Sequence, residues 1–565
     1  MQLPLHHSYF CTSFSPSSCQ FFFPKLFARL MNRRLFCRTF TRLVHSSMKQ
    51  HTILLNDSEQ KIRNLLVGYC DYYRNQGGKP LTLRITGGWV RDKLLCNESQ
   101  DIDIAIDHLL GVDFVNGLQN YLIEQDPEMS MRHVHTIKMN PLKSKHLETC
   151  TTKLYDIDLD FVNLRSEEYT EESRVPVIEF GTPKEDAMRR DATLNALFYN
   201  LNEQKIEDFT GKGLQDLQDG VLRTPLSPVK TFLDDPLRIL RLIRFACKFD
   251  FKIEKKTLEA MMELHNQKAL STKISKERIE IELRKALVSK NPSYGLRLIY
   301  HCNLVKSIFY VDGLGFDETA MKHSVKRIPH HLLAASAIYP YFEQQIHKST
   351  IHMLRALEIF DDDSKFNFWL SMILHPYSTV PRVKNKDVYD QFLRVGLKCK
   401  KSDINKISAI NLVSRTTIDQ FLEAPQSVKR SDLGLYLREF PDFASLNLLV
   451  QCFIDCIHNV HVRGSLLLPP PPSPTTADLS LRNKKLINET IAKYDSLFSH
   501  INQLGLEDVH IMKPLLEGRT IAKELEKKPG PWMKPVTDEV LKWQLDNPSG
   551  SAEECMMYIK SKVTL

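Results

Sequence analysis

The pattern Asp101-Ile-Asp103-Ile constrains this chain more than any other stretch of its sequence. Residues i and i+2 of a strand project to the same face, so Asp101 and Asp103 are expected side by side while the isoleucines enter the core. Two carboxylates this close repel each other unless a cation lies between them. Because hard oxygen ligands suit Mg²⁺, the pattern predicts a two-metal site for phosphoryl or nucleotidyl transfer. A solvated strand end is the alternative interpretation.

A glycine pair precedes the two aspartates. Leu81–Thr86 alternates like a strand, and Trp89–Leu95 reads as the beginning of a helix. A strand, Gly87-Gly88 and a helix N-terminus together present backbone N–H groups to an anion. The glycines alone would fit an ordinary strand-to-helix turn. With the aspartates downstream they predict a nucleoside triphosphate site, in which Gly88 approaches the phosphates through its backbone and Arg91 through its charge.

These residues resemble the first motif of the class II tRNA nucleotidyltransferases, the CCA-adding enzymes. Four further blocks are similar to the remaining motifs of that family in the same order, and they span residues 181–198, 208–223, 234–246 and 274–283. Two later segments, 528–532 and 543–548, look like the tail of the eukaryotic members. The resemblance implies an α/β nucleotidyltransferase head with a small mixed sheet, followed by an all-α neck, body and tail.

The block at residues 181–198 contains Arg190 and Asp191, which are expected on a helix from Met188 to Ala196. The resemblance implies that both contact the triphosphate and ribose of the nucleotide, and that Asn195 supports them one turn later. An ordinary i, i+4 ion pair between Asp186 and Arg190 is the alternative.

Asp160 is a candidate third catalytic carboxylate, on the strand candidate Ile157–Asn163. Asp158 shares its face, so the pattern alone does not decide between the two. A solvated strand residue is the alternative for either.

The block that begins at Asp234 has a base-selecting logic of its own. Asp235 and Arg238 are expected on one helix face, where a carboxylate acceptor lies beside a guanidinium donor. Cytosine and adenine each offer an amino donor beside a ring acceptor and match this pair, whereas uracil and guanine would leave polar groups unpaired. Arg241 and Arg244 would extend the cations toward the phosphates. Asp234 would brace Arg238, although the family usually has Glu there; local ion pairing of an Arg-rich helix is the alternative.

Four parts follow from the patterning along the chain. They are a mitochondrial targeting extension at 1–47, the head at 48–209, a helical neck with the nucleotide-selecting motif at 210–290, and a helical body and tail that bind tRNA at 291–565. Ile102–Ile106 and Leu197–Asn200 are further strand candidates. Residues 130–153 read as a mobile loop, and the Pro-rich loop 466–474 reads as an exposed polyproline II segment.

The first 47 residues contain six basic and no acidic side chains, which is typical of a mitochondrial presequence. A disordered extension is the alternative. Translation from Met1, Met31 or Met48 would supply mitochondrial, cytoplasmic and nuclear forms. Without this extension the net charge falls from +8 to +2, so the total charge says little about RNA binding.

Two further composition features exclude other classes of protein. No uninterrupted apolar stretch approaches the roughly 18–20 residues that span a bilayer, so no membrane partner is expected. The twelve cysteines lack zinc-binding spacing and are expected as reduced thiols.

Together these patterns predict template-independent addition and repair of the 3′-terminal CCA of tRNA, with CTP, ATP and Mg²⁺, and release of pyrophosphate. The body and tail would hold the acceptor arm and elbow of tRNA through shape, backbone and 2′-hydroxyl contacts. A poly(A) polymerase of the same superfamily and a catalytically inactive RNA-binding scaffold are the alternatives. The sequence leaves open whether one protein adds all three nucleotides and what ends addition after A.

Overall fold

A computed structural model describes residues 52–99, 101–125, 132–137, 149–170, 173–348, 360–460, 470, 472 and 479–563. The predicted targeting extension at 1–47 lies outside these residues, as does most of the Pro-rich loop 466–474. All elements below belong to the compact unit Leu54–Leu565.

The first half of the chain forms a mixed sheet. Its strands and those of two small ribbons are β1 (Leu83–Thr86), β2 (Asp101–Ile106), β3 (Arg132–Ile137), β4 (Thr149–Leu154), β5 (Ile157–Asn163), β6 (Arg165–Thr170), β7 (Ser173–Phe180), β8 (Leu197–Asn200), β9 (Lys205–Asp208), β10 (Val221–Leu222) and β11 (Lys252–Ile253). Seven strands pair in the order β3-β4-β5-β2-β1-β8-β9, whereas β6 pairs with β7 and β10 with β11. Within the seven-stranded sheet only β2 and β5 run parallel.

Helices interrupt the strands and then dominate. They are α1 (Asp57–Asn75), α2 (Gly88–Leu94), α3 (Gly111–Gln125), α4 (Pro183–Met188), α5 (Gly213–Asp219), α6 (Pro228–Asp234), α7 (Leu237–Phe249), α8 (Lys255–Met262), α9 (Leu264–Lys273), α10 (Lys276–Leu287), α11 (Pro292–His301), α12 (Val305–Phe309), α13 (Glu318–Lys348), α14 (Asp362–Leu374), α15 (Val388–Gln391), α16 (Lys401–Asn411), α17 (Arg415–Glu423), α18 (Arg430–Arg438), α19 (Ala444–Asn459), α20 (Leu481–Gln503), α21 (Gly518–Glu524), α22 (Met533–Asp546) and α23 (Ala552–Val563). The predicted order, a mixed α/β head followed by helices, is confirmed. The exact domain boundaries stay predictions.

The four strand candidates are confirmed as β1, β2, β5 and β8, to within two residues at each end. The mobile loop predicted over 130–153 is wrong where the structure describes it, because β3 and β4 pair there as antiparallel strands. Cys150, Thr152 and Leu154 alternate into the core, which is the period of a half-buried strand. Residues 138–148 lie outside the described chain.

The helix predicted from Met188 to Ala196 is also wrong. Helix α4 begins earlier, because Thr182 and Glu185 form a reciprocal capping box and Pro183 occupies the first turn. It ends at Met188. Ala192 is then extended, and Thr193–Asn195 adds only a single 3₁₀ turn.

The prediction that Asp235 and Arg238 lie on one face of a single helix is wrong. Helix α6 ends at Asp234, Asp235 is extended with φ −137° and ψ 97°, and α7 begins at Leu237. A residue before proline is driven out of the helical region, and Pro236 follows Asp235. The expected pair therefore spans a break between two helices.

The Pro-rich loop departs from expectation at Pro472. This residue is buried rather than exposed, and its carbonyl accepts hydrogen bonds from Asn291 at 2.9 Å and Arg297 at 3.2 Å. In the described part of the chain, no helix combines the length and apolar character needed to cross a membrane.

Candidate active site

Three carboxylates meet where β2 and β5 run side by side. Oxygen atoms of Asp101, Asp103 and Asp160 all lie within 4.8 Å of one another, so the group could hold a metal ion. Burial, together with the charge of Asp101, raises the pKa of the Asp103 carboxyl to about 6. The cluster therefore contains negative charge that the surrounding groups do not fully compensate.

The parallel register of β2 and β5 decides between Asp158 and Asp160. Asp103 lies opposite Asp160 and Asp101 lies opposite Asp158. Asp158 is exposed and is not part of the carboxylate cluster. Asp160 accepts a hydrogen bond from the Thr151 hydroxyl at 2.5 Å, which fixes one of its oxygens.

The glycine turn between β1 and α2 lies directly against this cluster. Gly87 has φ +76° and ψ −141°, a conformation that residues with a Cβ atom adopt only under strain. A Cβ atom at Gly87 would lie 3.1 Å from Asp103 Oδ2, and one at Gly88 would lie 3.0 Å from a nitrogen of Arg91. Glycine is thus required both by the backbone and by the approach of the carboxylate.

The side chain of Arg190 links α4 to the glycine turn. It donates to Asp186 at 2.8 Å and to the Thr86 hydroxyl at 2.6 Å. Arg189 also donates to Asp186, at 2.9 Å. Burial opposes ionisation of Asp186, but the charges of Arg190 and Arg189 outweigh it and lower its pKa to about 2. The ion pair considered from the sequence exists, and Arg190 nevertheless lines the cavity described below.

A chain of hydrogen bonds joins α2 to α7 through Asp191. Arg91 donates to Asn195 at 2.5 Å, and the Asn195 amide donates to Asp191 at 2.9 Å. Asp191 also accepts from Arg241 at 2.6 Å. Burial opposes the charge of Asp191, yet Arg241 and Asn195 hold its pKa well below the ordinary value. Arg91 is buried, with its guanidinium 4.8 Å from the ring centre of Phe249.

Asp235 and Arg238 reach the same cavity from the two sides of the helix break. Asp235 accepts from the Leu237 backbone N–H at 3.2 Å and from Arg278 at 3.4 Å. A nitrogen of Arg238 lies 3.8 Å from a Glu167 oxygen. Both residues line the cavity, although the helix face that was expected to pair them is absent, and their pairing as acceptor and donor stays a prediction.

Asp234 lies at the end of α6 and, unlike Asp235, does not line the cavity. Burial raises its pKa, and the nearby charge of Arg238 partly offsets the effect. A direct contact of Asp234 with a nucleotide therefore has no support in the geometry. Its predicted bracing of Arg238 stays a prediction.

Arg241 and Arg244 lie on the same face of α7 and are held from α10. Glu282 accepts from Arg244 at 2.6 Å and lies 3.8 Å from Arg241. The Arg244 guanidinium also lies 4.1 Å from the ring centre of Phe245. Both arginines line the cavity described below, and their predicted contact with the phosphates stays a prediction.

Most of these groups, though neither Asp101 nor Asp234, line a cavity of about 700 Å³. Eight arginines and six carboxylates are among the residues that line it: Arg91, Arg165, Arg189, Arg190, Arg238, Arg241, Arg244 and Arg278, with Asp103, Asp160, Glu167, Asp186, Asp191 and Asp235. Guanidinium groups suit bidentate recognition of phosphate. The cavity thus has an acidic end that suits a cation and an arginine wall that suits a polyanion.

Sequence reasoning missed Arg165, Glu167 and Arg278. Glu167 joins Arg165 and Arg189 at 3.2 and 2.8 Å. Its position depends on how the β6–β7 ribbon packs, which no local pattern encodes. Arg278 lies inside the last motif-like block, so the resemblance itself offered the signal for it.

Comparisons with known proteins agree with this geometry. Residues 83–223 match the family model of the poly A polymerase head domain, and 250–310 match that of a probable RNA and SrmB-binding site of polymerase A. The mitochondrial CCA tRNA nucleotidyltransferase of Candida glabrata is 40% identical over 90% of this chain and 96% of its own. Its counterpart from Saccharomyces cerevisiae is 38% identical over 90% and 94%.

Solved structures share the fold at lower identity. The apo form II structure of a CCA-adding enzyme has a TM-score of 0.55 and 20% identity, covering 90% of this chain and 96% of that one. The Bacillus stearothermophilus CCA-adding enzyme in complex with CTP has a TM-score of 0.53 and 16% identity, covering 90% and 98%.

Proposed function

The chain belongs to the family of CCA tRNA nucleotidyltransferases, and we propose that it builds and repairs the 3′-terminal CCA of tRNA from CTP and ATP, without a nucleic-acid template and with release of pyrophosphate. The observation that carries the proposal is that one cavity is lined by Asp103 and Asp160, two members of the carboxylate triad, and by Asp235 and Arg238. The carboxylates suit the chemistry of nucleotidyl transfer, whereas Asp235 and Arg238 suit the choice of base.

Asp101, Asp103 and Asp160 are the proposed ligands of Mg²⁺. The donor set fits, because it consists of hard oxygen atoms close together and because the raised pKa of Asp103 reflects charge that a cation would compensate. The chemistry that Mg²⁺ supplies when bound is a lowered pKa of the tRNA 3′-hydroxyl and compensation of the charge on pyrophosphate.

The arginine wall and the glycine turn are proposed to bind the triphosphate and ribose. Gly87 and Gly88 allow the backbone to approach a phosphate, since neither carries a side chain into the space beside Asp103 and Arg91. Arg190, Arg241 and Arg244 supply charge, each from a side chain that a carboxylate already holds in place. Little rotamer freedom is then lost on binding, which favours orientation of the reacting groups.

Base selection is assigned to Asp235 and Arg238. An aspartate acceptor beside an arginine donor matches the amino group and ring nitrogen of cytosine and of adenine. Uracil and guanine would set a carbonyl against the carboxylate and an N–H against the guanidinium, and an unpaired buried polar group costs about 1–3 kcal/mol. Arg278 at 3.4 Å restrains the carboxylate, and Glu167 at 3.8 Å restrains the guanidinium.

The experiment incubates purified protein with Mg²⁺ and tRNA lacking its last three nucleotides, with CTP alone, ATP alone or both. We expect two C residues from CTP and a following A when ATP is present. The Asp101→Ala/Asp103→Ala variant should add nothing while retaining its folded circular dichroism spectrum. Extension with A alone would favour a poly(A) polymerase, and no incorporation by the unaltered protein would favour an RNA-binding scaffold.

The helical body and tail are proposed to hold the acceptor arm and elbow of tRNA. The match of residues 250–310 to a probable RNA-binding family model supports RNA contact at the end of the neck and the start of the body. Footprinting of tRNA with the full chain should show protection of both regions. Protection confined to the 3′ end would contradict it.

Two of the similar proteins are named as mitochondrial, and the basic composition of residues 1–47 agrees with a mitochondrial location. We propose that starts at Met1, Met31 and Met48 together supply mitochondrial, cytoplasmic and nuclear forms, because a start at Met31 keeps the basic stretch of residues 31–42 and a start at Met48 omits it. Western blots of cell fractions from Met31→Ala and Met48→Ala strains should then lose the corresponding pool. Unchanged fractions in both strains would refute alternative initiation.

A further inference from the structure

Three helices of the body bring three histidines to one point. His331 lies in α13, His375 follows the last residue of α14, and His458 lies near the end of α19. Their ring centres form a triangle with sides of 6.0, 5.7 and 5.5 Å. We call this group the imidazole triangle. It lies outside the nucleotide cavity, with which the small cavity beside it shares no lining residue.

The rings of the imidazole triangle have unused nitrogen atoms. Nδ1 of His331 and Nδ1 of His375 are buried and have no hydrogen-bond partner, although buried polar atoms are nearly always paired. The Asn411 side chain lies against the His375 ring and favours its protonated form, but burial outweighs this effect on the pKa. Burial, and then the neighbouring rings, lower the pKa of His331 to about 3 and that of His375 to about 4. Burial also lowers the pKa of His458. All three are therefore neutral at pH 7, which is the form that binds metals.

The spacing of the rings is close to that around a single metal ion. Zinc binds imidazole nitrogen at about 2.0–2.1 Å with tetrahedral angles, which places the centres of three ligating rings roughly 5 Å apart. The observed sides exceed this by about 0.5–1.0 Å. Among the described residues, only the acidic triad already has its ligand atoms within 4.8 Å of one another, so the imidazoles must turn before their nitrogen atoms converge on one ion.

We propose that the imidazole triangle binds one divalent cation of the borderline class that imidazole prefers, such as Zn²⁺ or Co²⁺. His458 is exposed, and a cavity of about 260 Å³ adjoins it and His331. This space gives the ion access to the rings and leaves room for a water or a small anion as fourth ligand. The ion would join α13, α14 and α19 and so stabilise the body without taking part in nucleotide transfer.

The charges around the imidazole triangle bear on its affinity. The positive charge of Arg327, which lines the adjoining 260 Å³ cavity, disfavours binding of a cation. The negative charge of Asp455, near His458, favours it. Asp455 is itself paired with Arg415 at 2.6 Å. This balance favours an anionic fourth ligand and an affinity below that of a zinc site with cysteine ligands.

The test uses full-length protein without a histidine tag, stripped of metal and titrated with Co²⁺ in excess Mg²⁺ to occupy oxygen-donor sites. We expect visible d–d absorption with a stoichiometry of one, displaced by Zn²⁺, and a raised melting temperature. His458→Ala, which removes the exposed member of the triangle, should weaken binding by at least about tenfold while the circular dichroism spectrum stays that of the folded protein. His323→Ala, at an exposed position on α13, the helix that carries His331, should bind like the unaltered protein.

Several outcomes would overturn the proposal. One is the absence of cobalt absorption, and another is absorption that persists in His458→Ala. A third is an equal loss of cobalt binding in His323→Ala. A loss of cobalt binding in the Asp101→Asn/Asp103→Asn variant would assign the ion to the carboxylates. Because His331 and His375 are packed in the interior, the decision rests on His458.

Discussion

Replacing Asp235 by Ala is expected to erase most of the preference for cytosine over uracil. The carboxylate also accepts the Leu237 N–H, but losing that bond affects both nucleotides equally and cancels in their ratio. A hydrogen bond to a charged group contributes about 1.5–3 kcal/mol. Since about 1.36 kcal/mol is tenfold in rate, the ratio of kcat/KM for CTP over UTP should fall by about 10- to 150-fold.

The assay measures single-turnover extension of tRNA lacking its last three nucleotides, with each nucleotide separately. Asp219→Ala, an exposed carboxylate on α5 outside the cavity, is the matched control and should leave the ratio unchanged. If Asp235→Ala loses activity with CTP and UTP in equal proportion, the carboxylate does not read the base edge and the reasoning fails.

Three further predictions rest on single contacts. Gly87→Ala should lower the free energy of unfolding by about 1–3 kcal/mol because of its positive φ, and it should abolish nucleotide addition because its Cβ would crowd Asp103. Gly313→Ala, with φ +75° and open space around the added Cβ, should lose stability but keep activity, and equal loss of activity in both variants would contradict this. The pKa of Asp103 is raised to about 6, so the folded protein holds this proton at higher pH than the unfolded chain. In urea unfolding without metal, the free energy of unfolding should therefore fall as pH rises from about 4 to about 7, and the same fall in Asp103→Asn would argue against this cause. Arg284→Ala should destabilise the protein by about 3–5 kcal/mol, because the Asp403 carboxylate, 1% exposed, loses its ion-pair partner; an unchanged urea midpoint would refute it.

Local patterns predicted the features that depend on neighbouring residues. Alternation along β2 placed Asp101 and Asp103 together, and the glycine pair marked the turn before α2. The choice of Asp160 over Asp158 needed the register between β2 and β5, which are separated by about fifty residues of chain. A register of that kind is set by tertiary pairing and cannot be read from either strand.

The errors have equally specific causes. The capping box at Thr182 and Glu185 was visible in the sequence and would have moved α4 to its true position. Pro236 likewise signalled the break that separates Asp235 from Arg238. By contrast, Glu167 reaches Arg238 only because the β6–β7 ribbon packs beside the cavity, and the buried ion pairs around Asp186 and Asp191 depend on the same assembly.

The break at Pro236 has a consequence for how one pocket measures two sizes of base. A continuous helix would fix the acceptor of Asp235 and the donor of Arg238 at a single separation. Here the backbone at Asp235 is extended, so the separation of the two side chains is set by their other contacts, Leu237 and Arg278 for Asp235 and Glu167 for Arg238. Reading both a pyrimidine and a purine with this pair therefore requires adjustment of side-chain contacts rather than of a single helix.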